Sequence, residues 1–269
     1  IIRVNAKTFQ DEGTVLGFVN PVDFDFADPN DRIFVVDKGS SQVKVVDLGR
    51  LEITSDIETG FDTKPLFILS SLEKSFILNG GGEFLEDKDS TVVVIKYRNN
   101  LVPLANFEGS LPIGDNPNSA VIISSGRLKV LCKGVYDPTN LSSNTESAIS
   151  DINQYTNQVY STDNLPGLYN AQNLIGNYDN SSCYFTASGG VYRLNPNTLN
   201  YTLLSSVNAS LIRTNVESFP VNDSTTVYYE MLYMNDSDSP NSIYKYNTNL
   251  SSFVDTIIAD GEVRDINFY

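Results

Sequence analysis

Short apolar runs separated by polar turns follow one another along nearly the whole chain. The stretch GDNPNSAVIISSGRLKVLCKGVYD, residues 114–137, is representative of this pattern. A turn of Gly, Asp, Asn and Pro precedes an apolar run over 120–123, and a Ser-Ser-Gly turn separates that run from a second one over 128–131. Apolar runs bounded by turn-forming residues predict a β-hairpin, and the absence of a helical period predicts a chain almost free of helix.

The hairpin belongs to a repeat. Each copy has an apolar run, a turn of Ser, Gly, Asn or Asp, a second apolar run that ends in a small or polar residue, and an alternating strand that ends in Tyr or Asp. The copies begin at Pro21, Lys64, Asn118, Ala171 and Val216. They are about 40 to 55 residues long, which is the length of a four-stranded propeller blade.

The repeat predicts one all-β domain over residues 1–269, a β-propeller of six blades with about four antiparallel strands each. The predicted blades are approximately 21–60, 61–114, 115–167, 168–208 and 209–261, with a closing blade made of 262–269 and 1–20. The N-terminal IIRVNAKTFQDEGTVLGFV resembles the last two strands of a blade, and the C-terminal EVRDINFY resembles a first strand. Closure through both termini would remove exposed sheet edges. Seven blades are the alternative, if the third or fifth copy contains another sheet.

Charge and composition narrow the function classes. The chain carries 18 Lys and Arg against 33 Asp and Glu, a net charge of −15, so it repels phosphate backbones and nucleic acid is not expected as a partner. No apolar run is long enough to span a bilayer. The chain has no His, which removes the commonest general base and metal ligand. Cys132 and Cys183 both lie in apolar runs, and we expect buried free thiols, with a disulfide as the alternative.

Three segments resemble a known family. The stretch 114–137, GGVYRLNPNT from Gly189 and SQVKVVDLGRLEI from Ser41 are similar to the YncE-like, YVTN-type β-propellers that Bacteroidetes export as surface lipoproteins. In that family an aromatic residue, often Trp, precedes the VLC element, where this chain has Lys129. A family pocket built on that aromatic residue is therefore not carried over.

The resemblance implies a location and partners. The protein would be exported to the cell surface or periplasm through a signal or lipoprotein segment that is then removed. The second strand missing from the closing blade also leads us to expect that Ile1 is not the native start. Because some relatives bind corrinoids for uptake, the implied partner is a small polar ligand or another envelope protein, such as an outer-membrane transporter.

The loops that lead into the first strands of the blades are the predicted binding surface, since in a propeller they converge on one mouth. They contain a set of polar, charged and aromatic residues: Asn20, Asp62, Lys64, Asp115, Asn118, Tyr169, Asn170, Arg213, Arg264 and Asp265. Arg213, Arg264 and Lys64 would anchor a carboxylate or phosphate group. Alternatively, the aspartates of the set neutralise these cations, or the Asn and Asp residues serve only the turns.

Two functions remain open from the sequence. The first is non-catalytic binding, in which a nutrient or cofactor is captured at the cell surface. The second is a carboxylate- or metal-dependent hydrolase, lactonase-like or glycan-cleaving. No catalytic residue, metal ligand or cofactor can be named from a motif.

Three acidic clusters, at 25–31, 83–89 and 235–240, are interpreted as hairpin tips rather than calcium loops. Four tyrosines are interpreted as either a recognition surface or inter-blade packing: Tyr155, Tyr160, Tyr169 and Tyr178.

Overall fold

A computed structural model describes residues 1–28, 32–82, 85–97, 106–222 and 225–268 of the chain. Within these ranges the protein consists of β-strands and two short 3-10 turns, Leu85–Asp87 and Leu141–Ser143. No helix of the described residues is long and apolar enough to cross a membrane. The prediction of an all-β chain almost free of helix is confirmed.

The strands form antiparallel sheets in which neighbours in sequence are neighbours in space. One two-stranded sheet and five four-stranded sheets are present in the described ranges. Their strands are β1 Ile2–Val4 and β2 Asp11–Thr14; β3 Pro21–Asp28, β4 Arg32–Asp37, β5 Gln42–Asp47 and β6 Glu52–Glu58; β7 Pro65–Ser71, β8 Lys74–Asn79, β9 Thr91–Lys96 and β10 Asn106–Pro112; β11 Pro117–Ile122, β12 Arg127–Cys132, β13 Ala148–Asn153 and β14 Gln158–Asn164; β15 Gln172–Gly176, β16 Cys183–Ala187, β17 Gly190–Leu194 and β18 Tyr201–Ser205; β19 Ile212–Asn222, β20 Thr225–Asp236, β21 Ser239–Asn247 and β22 Ser252–Ile258.

The chain divides into two compact units, Ile1–Asn118 and Ser119–Tyr269. The first unit holds the β1–β2 pair and the sheets β3–β6 and β7–β10. The second holds the sheets β15–β18 and β19–β22 together with most of β11–β14, whose first strand begins two residues before the boundary. That all of these sheets belong to one domain remains a prediction.

The middle strands of the sheets carry the core. Every residue from Ile33 to Asp37 in β4 and from Leu128 to Cys132 in β12 is buried. Such runs of consecutive buried residues are typical of strands that are covered on both faces. In the first unit one cluster joins β3–β6 to β7–β10 through side chains such as Phe34, Val45 and Ile77. In the second unit Leu131 packs with Phe185, and in another cluster Tyr184 packs with Leu232.

One turn recurs between the third and fourth strands. In Asn195–Leu199, the Asn195 Oδ1 atom accepts hydrogen bonds from the backbone N–H groups of Asn197 and Thr198 at 3.0 and 3.1 Å. Leu199 then adopts a positive φ of 59° and donates its N–H to the Asn195 carbonyl. Related side-chain-capped turns, each with a positive φ at the fifth residue, occur at 5–9, 47–51, 153–157 and 247–251. The corresponding turn of β7–β10 lies outside the described residues.

The turn at 5–9 joins β1 to β2 as the other turns join third to fourth strands, and the place of this pair in a closing blade stays a prediction. The C-terminal part of the predicted closing blade is different, because residues 259–268 form no strand. Instead, the Val263 N–H binds the Pro240 carbonyl at 2.7 Å, Ile266 packs on Met231, and the Phe268 ring lies 4.7 Å from that of Tyr233. Apolar side chains thus fix this segment against the β19–β22 sheet, although the segment forms no β-ladder with any strand.

In three of the sheets a buried polar side chain lies at the end of the second strand or one residue before it. In β4, Asp37 is fully buried and accepts hydrogen bonds from the Val19 and Asn20 N–H groups at 2.9 and 2.6 Å. In β20, Asn235 accepts them from Ser210 and Leu211 at 3.0 and 2.8 Å. In β8, Asn79 donates to the Thr59 carbonyl at 3.2 Å. These side chains fix the segment that leads into the first strand of the same sheet.

The loss of the hydrogen bonds that Asp37 accepts should destabilise the first unit. Asp37→Ala would leave two partly buried backbone N–H groups without this acceptor, and we expect a loss of about 2–4 kcal/mol in the free energy of unfolding. Urea denaturation followed by circular dichroism measures it. Glu52→Ala, at an exposed position of β6, is the control and should change stability by less than about 0.5 kcal/mol. An equally small change for Asp37→Ala would contradict this role.

The two thiols should be unreactive in the folded state. Cys132 and Cys183 are buried and free, as expected from the sequence, and burial raises the pKa of the Cys183 thiol to about 12. At pH 8 Cys183 therefore has almost no thiolate available for reaction, and Cys132 is shielded by its burial. A thiol-reactive chromophore should therefore label neither cysteine in native buffer and both in denaturant. Rapid labelling of the native protein would contradict this burial.

Candidate functional site

The predicted ring residues of the first unit are engaged in structural contacts. The Asn20 N–H is held by Asp37. The Lys64 Nζ atom lies 3.8 Å from an oxygen of Asp62 and 3.8 Å from one of Asp87. Both Asp62 and Lys64 have a positive φ, 52° and 49°, which shows that the loop itself constrains them.

Asp115 also has a partner that the sequence did not suggest. Its carboxylate accepts hydrogen bonds from the Lys88 Nζ atom at 2.8 and 2.9 Å and from the Ser90 hydroxyl at 2.7 Å. This side chain therefore ties the loop that leads into β11 to the segment before β9. Asn118 is half-buried within β11.

In the second unit the predicted arginines are paired with carboxylates. The Arg213 Nη2 atom lies 3.2 Å from Asp265, and its Nη1 atom donates to the Ile212 carbonyl at 2.9 Å. The Arg264 side chain is 84% exposed and lies 3.1 Å from Glu262. Arg213 and Lys64 therefore each lie within 4 Å of a neighbouring aspartate, and ligand binding by the predicted ring stays a prediction.

Tyr169 and Asn170 lie on the loop that leads into β15. The Tyr169 ring packs on Tyr136 with the centroids 5.4 Å apart, and its N–H is held by the Ser188 hydroxyl at 3.3 Å. Asn170 lines a cavity of about 280 Å³ together with Gln172, Asn173 and Asn208. The lining of this cavity carries no charged side chain.

A larger cavity of about 860 Å³ lies between the sheets β15–β18 and β19–β22. Most of its lining is polar, and it comes from the β15–β16 turn, from strands of both sheets and from the β21–β22 turn: Asn177, Tyr178, Asp179, Ser181, Tyr184, Arg193, Val216, Tyr228, Glu230, Thr248, Asn249 and Ser251. We call it the Glu230 cleft. Since antiparallel strands alternate in direction, this cleft and the smaller cavity lie at opposite ends of the strands.

The most buried charged group of the cleft is Glu230, whose residue is 8% exposed. The Tyr184 hydroxyl donates a hydrogen bond to its Oε1 atom at 2.7 Å. Burial and the adjacent carboxylate raise the pKa of Tyr184, so the phenol keeps its proton and remains a donor. The backbone of Glu230 is held by the β21–β22 turn, because its carbonyl accepts from the Thr248 N–H at 3.1 Å and its N–H donates to Asn249 at 3.2 Å.

The β15–β16 turn forms another wall of the cleft. Asn177 accepts a hydrogen bond from the Ser182 N–H at 2.9 Å, and Arg193 donates to the Ser182 hydroxyl at 3.2 Å. Hydrogen bonds from Ser181 lower the pKa of Asp179, which is therefore ionised near neutral pH. The backbone of this turn is thus held in place by hydrogen bonds.

Two tyrosines of the cleft lining are largely exposed. Tyr178 is 74% and Tyr228 67% exposed, and they belong to different sheets, one to the β15–β16 turn and the other to β20. Tyr178 is one of the four tyrosines that the sequence predicts to form either a recognition surface or inter-blade packing. The sequence does not predict a site at Glu230, Tyr184 or Arg193, although Glu230 interrupts the otherwise apolar and aromatic run VYYEMLYM.

Among the residues that the structure describes, no group of three or more His, Cys, Asp or Glu side chains could hold a metal ion. The Glu230 cleft brings together carboxylates, a guanidinium, amides, hydroxyls and aromatic rings. These groups can bind a polar organic molecule by hydrogen bonds and by stacking.

The sequence matches no protein-family model and no curated protein. Solved structures do match. Hydrazine synthase of Kuenenia stuttgartiensis aligns with a TM-score of 0.54 at 16% identity over 92% of this chain, which spans only 59% of that protein chain. A protein of Bacteroides uniformis, provisionally described as a 6-phosphogluconolactonase, aligns with a TM-score of 0.63 at 12% identity over 96% of this chain and 78% of that one. At these identities the matches establish a β-propeller-type fold, in agreement with the six sheets of the described residues.

The Arg213–Asp265 ion pair of the predicted ring should contribute little to the free energy of unfolding. Arg213 and Asp265 are both partly exposed, so Arg213→Ala should lower the free energy of unfolding by no more than about 1 kcal/mol. Lys129→Ala is the contrast, because Lys129 pairs with Asp151 in a buried position and its loss should cost about 3 kcal/mol. Urea denaturation compares the two variants. A larger loss for Arg213→Ala than for Lys129→Ala would contradict this assignment.

Proposed function

We propose that this chain is an exported, non-catalytic β-propeller that binds a small polar ligand in the Glu230 cleft. The observation that carries the proposal is a buried carboxylate with a tyrosine donor in a cavity of about 860 Å³ between two sheets. Cavities of about 300–1,000 Å³ with a few convergent polar groups are the usual form of small-molecule sites.

The rigidity of the lining supports binding. The two turns that frame the cleft are held by hydrogen bonds of Asn177 to Ser182 and of Thr248 and Asn249 to Glu230. Groups that are already fixed lose little conformational entropy when a ligand arrives. The predicted ring residues support the proposal less, because Lys64, Asp115 and Arg213 already have charged partners.

Location and biological role are proposed from the family resemblance. A YncE-like propeller of the cell surface or periplasm would capture a nutrient or cofactor and pass it to an outer-membrane transporter. The segments at Ser41, 114–137 and Gly189 carry this resemblance. A net charge of −15 suits a ligand that is neutral or cationic.

A ligand screen tests the proposal. Purified protein is heated with corrinoids, oligosaccharides and short peptides, and compounds that raise the melting temperature are taken to calorimetry. We expect at least one of them to bind and Glu230→Gln to weaken that binding at least tenfold. Tyr184 can still donate to the amide oxygen of this variant, so its fold should be kept.

Glu52→Gln, in an exposed strand of the other unit, is the control and should bind as the unchanged protein does. If Glu230→Gln binds the ligand as tightly as the unchanged protein does, the binding site lies outside the Glu230 cleft. Release of a hydrolysis product from the bound compound would replace the proposal by the hydrolase alternative, in which Glu230 and Asp179 would be the carboxylates to test.

A further inference from the structure

We infer that the ligand of the Glu230 cleft is a neutral oligosaccharide. The inference rests on the proposed function, since it names the chemical class that the same site would take. Charge, hydrogen-bonding groups and exposed rings each support it separately.

The charges of the cleft disfavour an anion. Glu230 and Asp179 supply two carboxylates, against one guanidinium from Arg193. Hydrogen bonds that lower the pKa of Asp179 keep it ionised well into the acid range. An acidic ligand would meet this local excess of negative charge and the charge of the whole chain. A cation would be attracted by the same excess and by the two tyrosines, so the choice of a neutral ligand over a cation depends on the hydrogen-bonding groups and the exposed rings.

The neutral polar groups match hydroxyls. The carboxylate oxygens of Glu230 and Asp179 accept hydrogen bonds, whereas Arg193 donates them, and the lining also contains amides and hydroxyls, which do both. A sugar hydroxyl is at once a donor and an acceptor, so it can bind between such groups. Hydrogen bonds between sugar hydroxyls and the charged groups of Glu230, Asp179 and Arg193 would be stronger than those to the amides and hydroxyls.

The exposed tyrosine rings suit the apolar faces of sugars. Tyr178 and Tyr228 leave most of their surface in water although they line a cavity. A tyrosine ring offers a large, rigid contact area at small entropy cost. Because the two rings come from different sheets, a ligand that covers both would bridge the cleft. That favours a chain of several sugar rings over a monosaccharide.

A glycan microarray followed by calorimetry tests the inference. The calorimetry probes are cello-, xylo-, malto-, laminari- and mannohexaose, with hexagalacturonic acid as the anionic comparison and choline as the cation. We expect at least one neutral hexaose to bind more tightly than either charged probe. Tyr178→Ala and Tyr228→Ala should each weaken this binding about tenfold, or 1.4 kcal/mol. Tyr155→Ala, also at an exposed tyrosine of the same unit but outside the cleft, should leave it unchanged.

The outcomes separate the class of ligand from the proposed function. If no neutral glycan binds but a corrinoid or peptide does, and Glu230→Gln weakens it, the carbohydrate class is wrong and the binding function stands. If nothing binds, both fail. Tighter binding of the acidic hexamer or of choline, or glycan binding that survives both tyrosine variants, also overturns the inference.

Discussion

The architecture depends on second strands that are buried on both faces and that must still satisfy the backbone at their ends. An unpaired buried N–H group costs about 1–3 kcal/mol, so a polar side chain at this place has a large effect. Asp37 accepts from two N–H groups before β3, and Asn235 accepts from two before β19. In β15–β18 the second strand ends in Ala187, and the hydroxyl of the next residue, Ser188, takes the corresponding Tyr169 N–H. Each contact fixes the segment that leads into a sheet.

This requirement uses part of the hydrogen-bonding capacity of the loops that lead into the first strands. Their backbone N–H groups bind Asp37 and Asn235, and two of their cations, Lys64 and Arg213, lie in ion pairs. In each turn between a third and a fourth strand, one Asn or Asp side chain is enough to accept hydrogen bonds from the backbone N–H groups of the turn. Side chains around such a turn remain available, and at Asn247–Ser251 they meet the β15–β16 turn of the neighbouring sheet at the Glu230 cleft.

The sequence predicts what is local in this fold. Apolar runs such as 120–123 and 128–131, separated by Ser-Ser-Gly, are sufficient to place β11 and β12, and Asn5 repeats the turn of Asn195. Contacts between sheets depend on register and on which face a strand turns to its neighbour, and one residue of slip reverses them. Tyr184 and Glu230 are 46 positions apart and meet only through packing. The prediction of a strand in the C-terminal segment was wrong. The apolar side chains of this segment, including Ile266, pack on the face of the β19–β22 sheet, and its backbone pairs with no strand.

Asp151 and Glu230, the buried carboxylates among the described residues of the second unit, differ in how their charge is compensated. Asp151 is paired with both Lys129 and Arg127, and the Arg127 guanidinium also lies 4.4 Å from the Tyr160 ring centroid. That set of contacts satisfies the charge inside the sheet. Glu230 has no ion pair among the described residues, and a neutral phenol is its side-chain partner. An apolar residue in its place would avoid the cost of removing a carboxylate from water. A locally unfavourable choice that faces a cavity is where a binding role is expected, and Glu230 is therefore the residue on which the function of this propeller should be tested first.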